Sequence, residues 1–393
     1  MKLRVLAAAT CSDPSLPRLF AAFVRLGATA FGGPAAIMQI RKIVVEQKQW
    51  MDKDAFGNGM ALCQAIPGAT AMQMSAYVGL KKKGIPGAFV AFVGFGLPAF
   101  AFMMILTTIY LRTFDIRPVI SLFEGLQAMI VAIIAFAVFT FGTNYLKKWG
   151  HFLIAAFAAI LFGLRVSPIL VIPLTAILGI AFFRRDRTPQ KTHETKRSPW
   201  SESHYALAIA VAAMGFTILF VANRGLFDLA LLMSRIDLFA FGGGFSSVPL
   251  MYHEVVTLRS WMDGPTLMNG IALGQVTPGP IVITATFIGY WLYGPIGGIV
   301  ATLAIFLPSF LIVVGVEPFF DRLRASPYFN SAIAGILCSF VGFLLSVTAS
   351  FAWVVPWDVP RVILTCATFI ALYYKVDILW IVLVGALVSV LIF

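Results

Sequence analysis

Two arginines in strongly apolar segments each precede a glycine cluster at the same spacing. Arg25 lies six residues before Phe31-Gly32-Gly33, and Arg235 lies six residues before Phe241-Gly242-Gly243-Gly244. A guanidinium at membrane depth is costly and usually functional, and its planar fork matches the oxygens of a tetrahedral oxyanion. Because glycine destabilises a helix by about 1 kcal/mol relative to alanine, each cluster predicts a helix that is interrupted beside an arginine.

A second helix-breaking motif follows each glycine cluster. It reads Gln64-Ala65-Ile66-Pro67-Gly68 in the first half and Gln275-Val276-Thr277-Pro278-Gly279 in the second. A half-helix that begins after such a break directs unpaired N–H groups, with partial positive charge, at one point, and this favours an anion. The glutamine amides add further donors. The pattern predicts a site for a small oxyanion, at which the two arginines match the charge of a dianion.

Each feature also has a structural interpretation that the residues leave open. Glycine pairs allow close helix packing, and proline–glycine pairs produce simple kinks. The side chain of Arg25 is close enough to Arg18 in sequence to reach the membrane surface. Arg235 is a candidate ion-pair partner of Asp237. The joint recurrence of these features in both halves favours the functional interpretation.

Four carboxylates are candidates for coupling proton movement to transport. Asp237 is the strongest, because it lies between Arg235 and the glycines, although an ion pair with an arginine is an equal alternative. Glu254 is the second, and Glu124 and Glu317 lie near predicted span ends. None of these acids recurs in the other half, so the sequence gives proton coupling little support.

The composition indicates which elements must position these residues. Hydrophobic residues make up 60% of the 393 residues and charged residues only 12%, whereas soluble chains carry about 25% charged residues. The mean hydropathy is +0.91. Unbroken apolar runs such as 128–141 exclude the alternating pattern of a barrel. We therefore expect an all-α polytopic membrane protein with about thirteen transmembrane helices; twelve is the alternative, and some short runs are candidates for hairpins that do not fully cross.

The two halves are copies of each other. Matching motifs recur 210 or 211 positions apart (241 − 31 and 261 − 50). Besides the motifs above, they include Trp50-Met51-Asp52 with Trp261-Met262-Asp263 and Leu97-Pro98 with Leu307-Pro308. The predicted organisation is a first six-span repeat (1–183), a hydrophilic cytoplasmic linker (184–203), a connecting span (204–222) and a second six-span repeat (223–393). An odd connector inverts the second copy; with twelve spans the copies would be parallel.

The charges fit this organisation. With the N-terminus in the cytoplasm, the inside loops hold about twice as many Lys and Arg residues as the outside loops. The net charge of +12 is therefore mostly topological, and we expect the lipid bilayer, not nucleic acid, as the partner. The four scattered cysteines indicate neither a metal site nor disulfides, so no cofactor is expected. No enzyme motif is present, and a homodimer is left open.

At these residues the sequence resembles the chromate ion transporter family in its long-chain, two-domain form. The resemblance rests on residues 25–34, 64–68, 241–244, 254–256 and 275–280, and it covers nearly the whole chain. One departure is Ala69, where the second copy has Pro280. The resemblance implies export of chromate across the plasma membrane, driven by the membrane potential or a proton gradient, with sulfate as a competitor. Transport of sulfate or another small oxyanion and a passive anion channel remain alternatives.

Overall fold

The computed structural model describes residues 13–31, 33–183 and 202–393. Gly32 of the first glycine cluster and residues 184–201 of the expected linker lie outside the described residues. The helices of the first repeat are α1 (Leu16–Thr29), α2 (Gly33–Arg41), α3 (Lys53–Ala65), α4 (Thr70–Thr113), α5 (Arg117–Tyr145), α6 (Trp149–Gly163) and α7 (Pro168–Phe183). A π-helical turn (Lys42–Gln47) extends α2.

The second repeat follows α8 (Glu202–Ala222). Its helices are α9 (Arg224–Phe239), α10 (Ser247–Met251), α11 (Gly264–Val276), α12 (Thr284–Val316), α13 (Phe320–Ala325), α14 (Pro327–Val354), α15 (Val359–Tyr373) and α16 (Ile378–Ile392). A π-helical turn (Tyr252–Leu258) follows α10, at the place where the first repeat has its own. Apart from the short α13, the helices recur in the order that the sequence repeat predicts.

Helices α4 and α12 each fold back on themselves at a glycine. Gly84 has φ 63° and ψ −155°, and Gly294 has φ 63° and ψ −156°. In a straight helix, Gly79 and Gly87 would lie about 12 Å apart. Here a Cβ on Gly79 would overlap the carbonyl oxygen of Gly87, so the two parts of the helix lie side by side. The turn divides α4 into a short arm (70–82) and a long arm (85–113), and α12 into a short arm (284–292) and a long arm (295–316).

Fewer helices than the thirteen candidates are long enough to cross a membrane. Among the described residues, five are long and apolar enough: α4, α5, α8, α12 and α14. The short apolar helices α6, α7, α15 and α16 form hairpins, α6 with α7 and α15 with α16. A hairpin of two short apolar helices has the same hydropathy as two spans, so the sequence alone could not separate these cases.

Contacts between helix ends show which of them share a face of the membrane. Lys83, at the turn of α4, pairs with Asp13 just before α1 at 2.9 Å. Lys81, beside the same turn, pairs with Glu317 at the end of α12. These contacts place the beginning of α1, the turn of α4 and the end of α12 at one face.

Helix α8 carries the chain from this face to the other. Tyr205, near its start, donates a hydrogen bond to the carbonyl of Leu311 in the last turns of α12. At its other end, Phe220 packs edge-on against Phe227 of α9, with 5.1 Å between the ring centroids. The 21 residues of α8 span about 32 Å, the thickness of the hydrocarbon core. The second repeat therefore begins at the opposite face, and the repeats are inverted.

The last hairpin of each repeat packs on the other repeat. Helices α6 and α7 lie along α14, and α15 and α16 lie along α5. The backbones approach closely at glycines: a Cβ on Gly335 would overlap the carbonyl oxygen of Thr175, and one on Gly342 would overlap that of Ala155. Small residues permit this approach between membrane helices, so the two repeats interlock.

The turn of α4 gives a stability prediction. We expect Gly79→Ala to destabilise the protein by about 1–3 kcal/mol, because the new methyl overlaps the backbone of Gly87 and the arms must separate. Gly57→Ala is the matched control, since a Cβ there would contact nothing within 4 Å. Thermal unfolding in detergent measures both; equal melting temperatures for the two variants would contradict this packing.

A candidate anion site where the broken helices meet

Helical structure is interrupted at four places, two in each repeat, and each of these breaks lies at the end of a short helix. The first separates α1 from α2, and the second separates α3 from the short arm of α4 (66–69). The third, 240–243, follows α9, and the fourth, 277–280, follows α11. They coincide with the glycine clusters and the proline–glycine motifs, so the residues that interrupt the sequence pattern also interrupt the helices.

The breaks are joined across the two repeats. The N–H of Gly68 donates to the carbonyl of Ala240 at 2.9 Å, and the N–H of Gly279 donates to the carbonyl of Ala30 at 2.8 Å. Phe31 and Gly279 also form an isolated parallel bridge. Each proline–glycine break thus pairs with the glycine-cluster break of the other copy. The N–H groups of Gly68 and Gly279, which the sequence offers as anion donors, are used here to join the repeats.

Glycine is required at both joints. Gly68 has φ 117° and Gly279 has φ 109°, conformations that other residues rarely adopt. A Cβ on Gly68 would overlap the hydroxyl of Ser309, and one on Gly279 would lie 2.9 Å from the methyl of Ala99. Pro67 and Pro278 come directly before these glycines and withhold the donor that would continue α3 and α11.

The glycine cluster of the second repeat lies between two helix beginnings. A Cβ on Gly243 would lie 3.2 Å from the hydroxyl of Thr70, the first residue of α4, and one on Gly244 would lie 2.9 Å from the side chain of Ile281, just before α12. Gly242 has φ 89° and Gly243 has φ 99°. The N–H groups of the first turn of a helix have no acceptor within it, so adjacent helix N-termini create positive potential.

The two glutamines differ in their surroundings. Gln64 is exposed, whereas the side chain of Gln275 is only 6% exposed. Within the described residues, its buried Nε2 has no hydrogen-bond partner. An unpaired buried amide costs about 1–3 kcal/mol, so a ligand that accepts from this donor would recover that cost. Gln275 lies in the last turn of α11, beside the break.

Asp237 is fully buried and is hydrogen-bonded to the long arm of α12, in its own repeat. Its Oδ2 accepts from the N–H of Ser309 at 2.7 Å, and the hydroxyl of Ser309 accepts from the N–H of Ala69 at 3.1 Å. Its Oδ1 has no partner among the described residues. The alternative ion pair with Arg235 is not among the ion pairs of the described part of the chain. Asp237 is therefore connected to the second break through Ser309.

The two arginines differ in their surroundings. Arg25 is exposed on α1 and Arg235 is half-buried on α9. Arg235 contributes to a cavity of about 410 Å³, which does not include Arg25. The cavity is lined by Asp228, Leu231, Leu232, Arg235, Arg259 and Trp261. Glu254, the second coupling candidate, is buried and pairs with Arg259 of this cavity.

Comparison with known proteins identifies the family. The model of the chromate transporter family matches residues 17–180 and 227–390, one match in each repeat. The chain belongs to the chromate transporter family. It is 42% identical to an uncharacterized transporter of Methanocaldococcus jannaschii, over 97% of this chain and 95% of the relative. It is 28% identical to chromate transport proteins of Pseudomonas aeruginosa (91% of this chain, 86% of the relative) and Cupriavidus metallidurans (93% and 90%). No solved structure matches.

This chromate transporter family member is a multi-pass membrane protein, and its centre holds polar residues that the motifs did not reveal. Ser309 and Gln73 are buried there, and Gln73 donates from Nε2 to the carbonyl of Pro67. Ser309 directly follows the repeated Leu307-Pro308, where the first copy has Ala99. That difference between the copies is the signal that could have found it. Among the described residues, no three His, Cys, Asp or Glu side chains cluster as metal ligands.

Gln275 provides a test that separates ligand binding from folding. In Gln275→Leu an unpaired buried amide is removed, so the ligand-free protein should keep its stability or gain about 1 kcal/mol, while its stabilisation by millimolar chromate or sulfate falls. Gln73→Leu is the matched control, because it loses the bond to Pro67 and should destabilise the ligand-free protein. Thermal shifts with and without the anion measure both. An unchanged anion shift in Gln275→Leu would remove this residue from the site.

Proposed function

We propose that the chain is a secondary transporter that exports chromate across the plasma membrane, with its N-terminus in the cytoplasm. The observation that supports this most is the meeting of four broken helices at the interface of two inverted repeats. Broken backbone at membrane depth is tolerated only where it is buried or lines a cavity. Secondary transporters with inverted repeats bind their substrates at such discontinuous helices.

The site suits a small tetrahedral dianion. The substrate-binding residues we propose are those of the breaks and their flanks: Arg25, Phe31, Gly32, Gly33, Gln64, Pro67, Gly68, Arg235, Phe241, Gly242, Gly243, Gly244, Gln275, Pro278 and Gly279. Helix N-termini at the breaks supply backbone donors and positive potential. Gly68 and Gly279 act as joints, since their N–H groups are occupied. The relatives of Pseudomonas aeruginosa and Cupriavidus metallidurans are chromate transport proteins, and this supports chromate as the cargo.

Inversion of the repeats supports alternating access. Because the repeats are related by inversion, the rearrangement that opens one face has an equivalent that opens the other. In this structure Arg25 on α1 is exposed, whereas its counterpart Arg235 is half-buried. The two glutamines show the same difference in exposure, since Gln64 of the first repeat is exposed and Gln275 of the second is buried. The first repeat is thus the more open one, as expected of one state of such a cycle.

The arginines give the primary test of this function. We expect Arg25→Ala and Arg235→Ala each to reduce chromate uptake into everted vesicles by at least about 100-fold, the cost of losing a charge-assisted contact of about 3 kcal/mol. Arg112→Ala, at an exposed position at the end of α4, should transport normally. Immunoblots of the membranes verify insertion. Full transport by both variants would remove the arginines from the site.

Competition and gradients separate the alternatives. Excess sulfate, a dianion of the same shape, should inhibit chromate uptake. If sulfate is itself transported with the higher kcat/KM, the cargo is sulfate and the proposed substrate is wrong. Saturable uptake that responds to an imposed proton gradient or membrane potential identifies a coupled transporter. Flux that rises linearly with concentration identifies a channel.

Asp237 is the residue that we propose for proton coupling, with Glu254 as the alternative. Asp237→Asn keeps an oxygen that accepts from the N–H of Ser309, so the protein should fold normally. It should exchange chromate across the membrane but lose the stimulation by a proton gradient. Glu254→Gln serves as the comparison, since Glu254 is held by Arg259. Proton-driven uptake that persists in Asp237→Asn and disappears in Glu254→Gln would reverse the assignment.

A further inference from the structure

The cavity beside Arg235 is balanced in charge. Two acids, Asp228 in its lining and Glu254 beside it, accompany Arg235 and Arg259. The guanidinium of Arg259 pairs with Glu254 and lies 5.4 Å from the ring centroid of Trp261. The formal charge of these four ionisable residues is zero. We call the region of these four residues and Trp261 the second mouth. It includes residues of α9, the helix with which the second repeat begins at the face opposite the N-terminus.

The first repeat has the same backbone at the equivalent place. The N–H of Trp50 donates to the carbonyl of Val44 at 2.8 Å, and the N–H of Trp261 donates to that of Val255 at 2.8 Å. The residues before the two tryptophans have nearly equal positive φ, 50° at Gln49 and 51° at Ser260. The two turns are therefore superimposable in register, and each residue of the second mouth has a defined counterpart.

The counterparts carry very different charge. Lys48 corresponds to Arg259 and Ile43 to Glu254; on the first helix, Arg25 corresponds to Arg235 and Arg18 to Asp228. One acid is replaced by an apolar residue and the other by an arginine, while both cations are kept. The formal charge of the set is therefore +3 in place of zero. The π-helical turn of the first repeat also holds Lys42 and Glu46, whose charges cancel each other.

We call the region of these four counterparts and Trp50 the first mouth, and its three cations are all exposed. Arg18, Arg25 and Lys48 are exposed, as is Asp228 of the second mouth. Exposed charges at a mouth act on a soluble ion through the surrounding field, over a range of about 8 Å at physiological salt. They raise the local concentration of an ion of opposite sign.

We infer that the two mouths differ in function because they differ in charge. The first mouth recruits the anion at the face that carries the N-terminus. The charge-neutral second mouth releases the anion at the other face. This inference rests on the proposed function of oxyanion transport and adds a recruitment site to it. The asymmetry supplies no energy; it sets the concentration at which each face loads. A low half-saturating concentration at the N-terminal face and a high one opposite suit export of a toxic dianion from a dilute pool.

Exchanging one pair of charges tests the inference. Both residues are exposed, so Arg18→Asp and Asp228→Arg should fold. Chromate flux, measured in everted and right-side-out vesicles, gives the half-saturating concentration at each face. In the natural protein we expect the value at the N-terminal face to be about tenfold lower. Arg18→Asp should raise that value, Asp228→Arg should lower the value at the opposite face, and the double variant should reverse the order of the two faces.

Salt and a remote charge provide the controls. The differences should shrink at high salt, because the field of exposed charges is screened. Asp115→Arg makes the same change of charge at an exposed residue between α4 and α5, outside the cavity lining, and should leave both values unchanged. Equal half-saturating concentrations at the two faces of the natural protein, or the same response to Asp115→Arg as to Asp228→Arg, would overturn the inference alone. A natural protein that carries no oxyanion would overturn the proposed function, and the inference with it.

Discussion

The fold depends on one constraint: backbone groups that leave a helix inside a membrane must find a partner there. The breaks meet this constraint across the repeat interface, where Gly68 donates to Ala240 and Gly279 donates to Ala30. Neither copy can satisfy these bonds by itself. This reciprocity explains why the motifs recur as pairs, and why the glycines must hold φ near 110°, where a side chain would collide with the opposite repeat.

The pseudo-symmetry is broken where two fully buried polar residues of the second repeat take the places of small apolar ones. Asp237 and Ser309 correspond to Gly27 and Ala99 in the first repeat. A Cβ on Gly27 would overlap the carbonyl oxygen of Phe95, so in the first repeat the helix backbones touch where the second repeat holds a carboxylate. A buried carboxylate without a cation is costly. Its presence in one copy alone is consistent with the proton-coupling role proposed for Asp237.

The sequence was sufficient for features that depend on local chemistry and on repetition. The sequence predicted the helical membrane class, the duplication and the positions of the breaks. The sequence did not predict the number of full spans, because the hairpin of α6 and α7 has the hydropathy of two membrane crossings. The sequence also did not predict the hydrogen-bond acceptors of the N–H groups at the breaks, since the acceptor of the Gly68 N–H lies in the other repeat. The different exposure of Gln64 and Gln275 arises from tertiary packing, which identical motifs cannot reveal.

The distribution of contacts indicates where a rearrangement would cost the least free energy. The outer hairpins interlock with α5 and α14 through backbone contacts at glycines such as Gly335 and Gly342, where any sliding would cause overlap. The central breaks are joined mainly by single hydrogen bonds, each worth about 0.5–1.5 kcal/mol. A rearrangement of the short helices about Gly68 and Gly279 is therefore cheaper than movement of one repeat past the other. An anion bound at the breaks, as proposed, would act directly on the weakest joints, and this would link substrate binding to the proposed change of access.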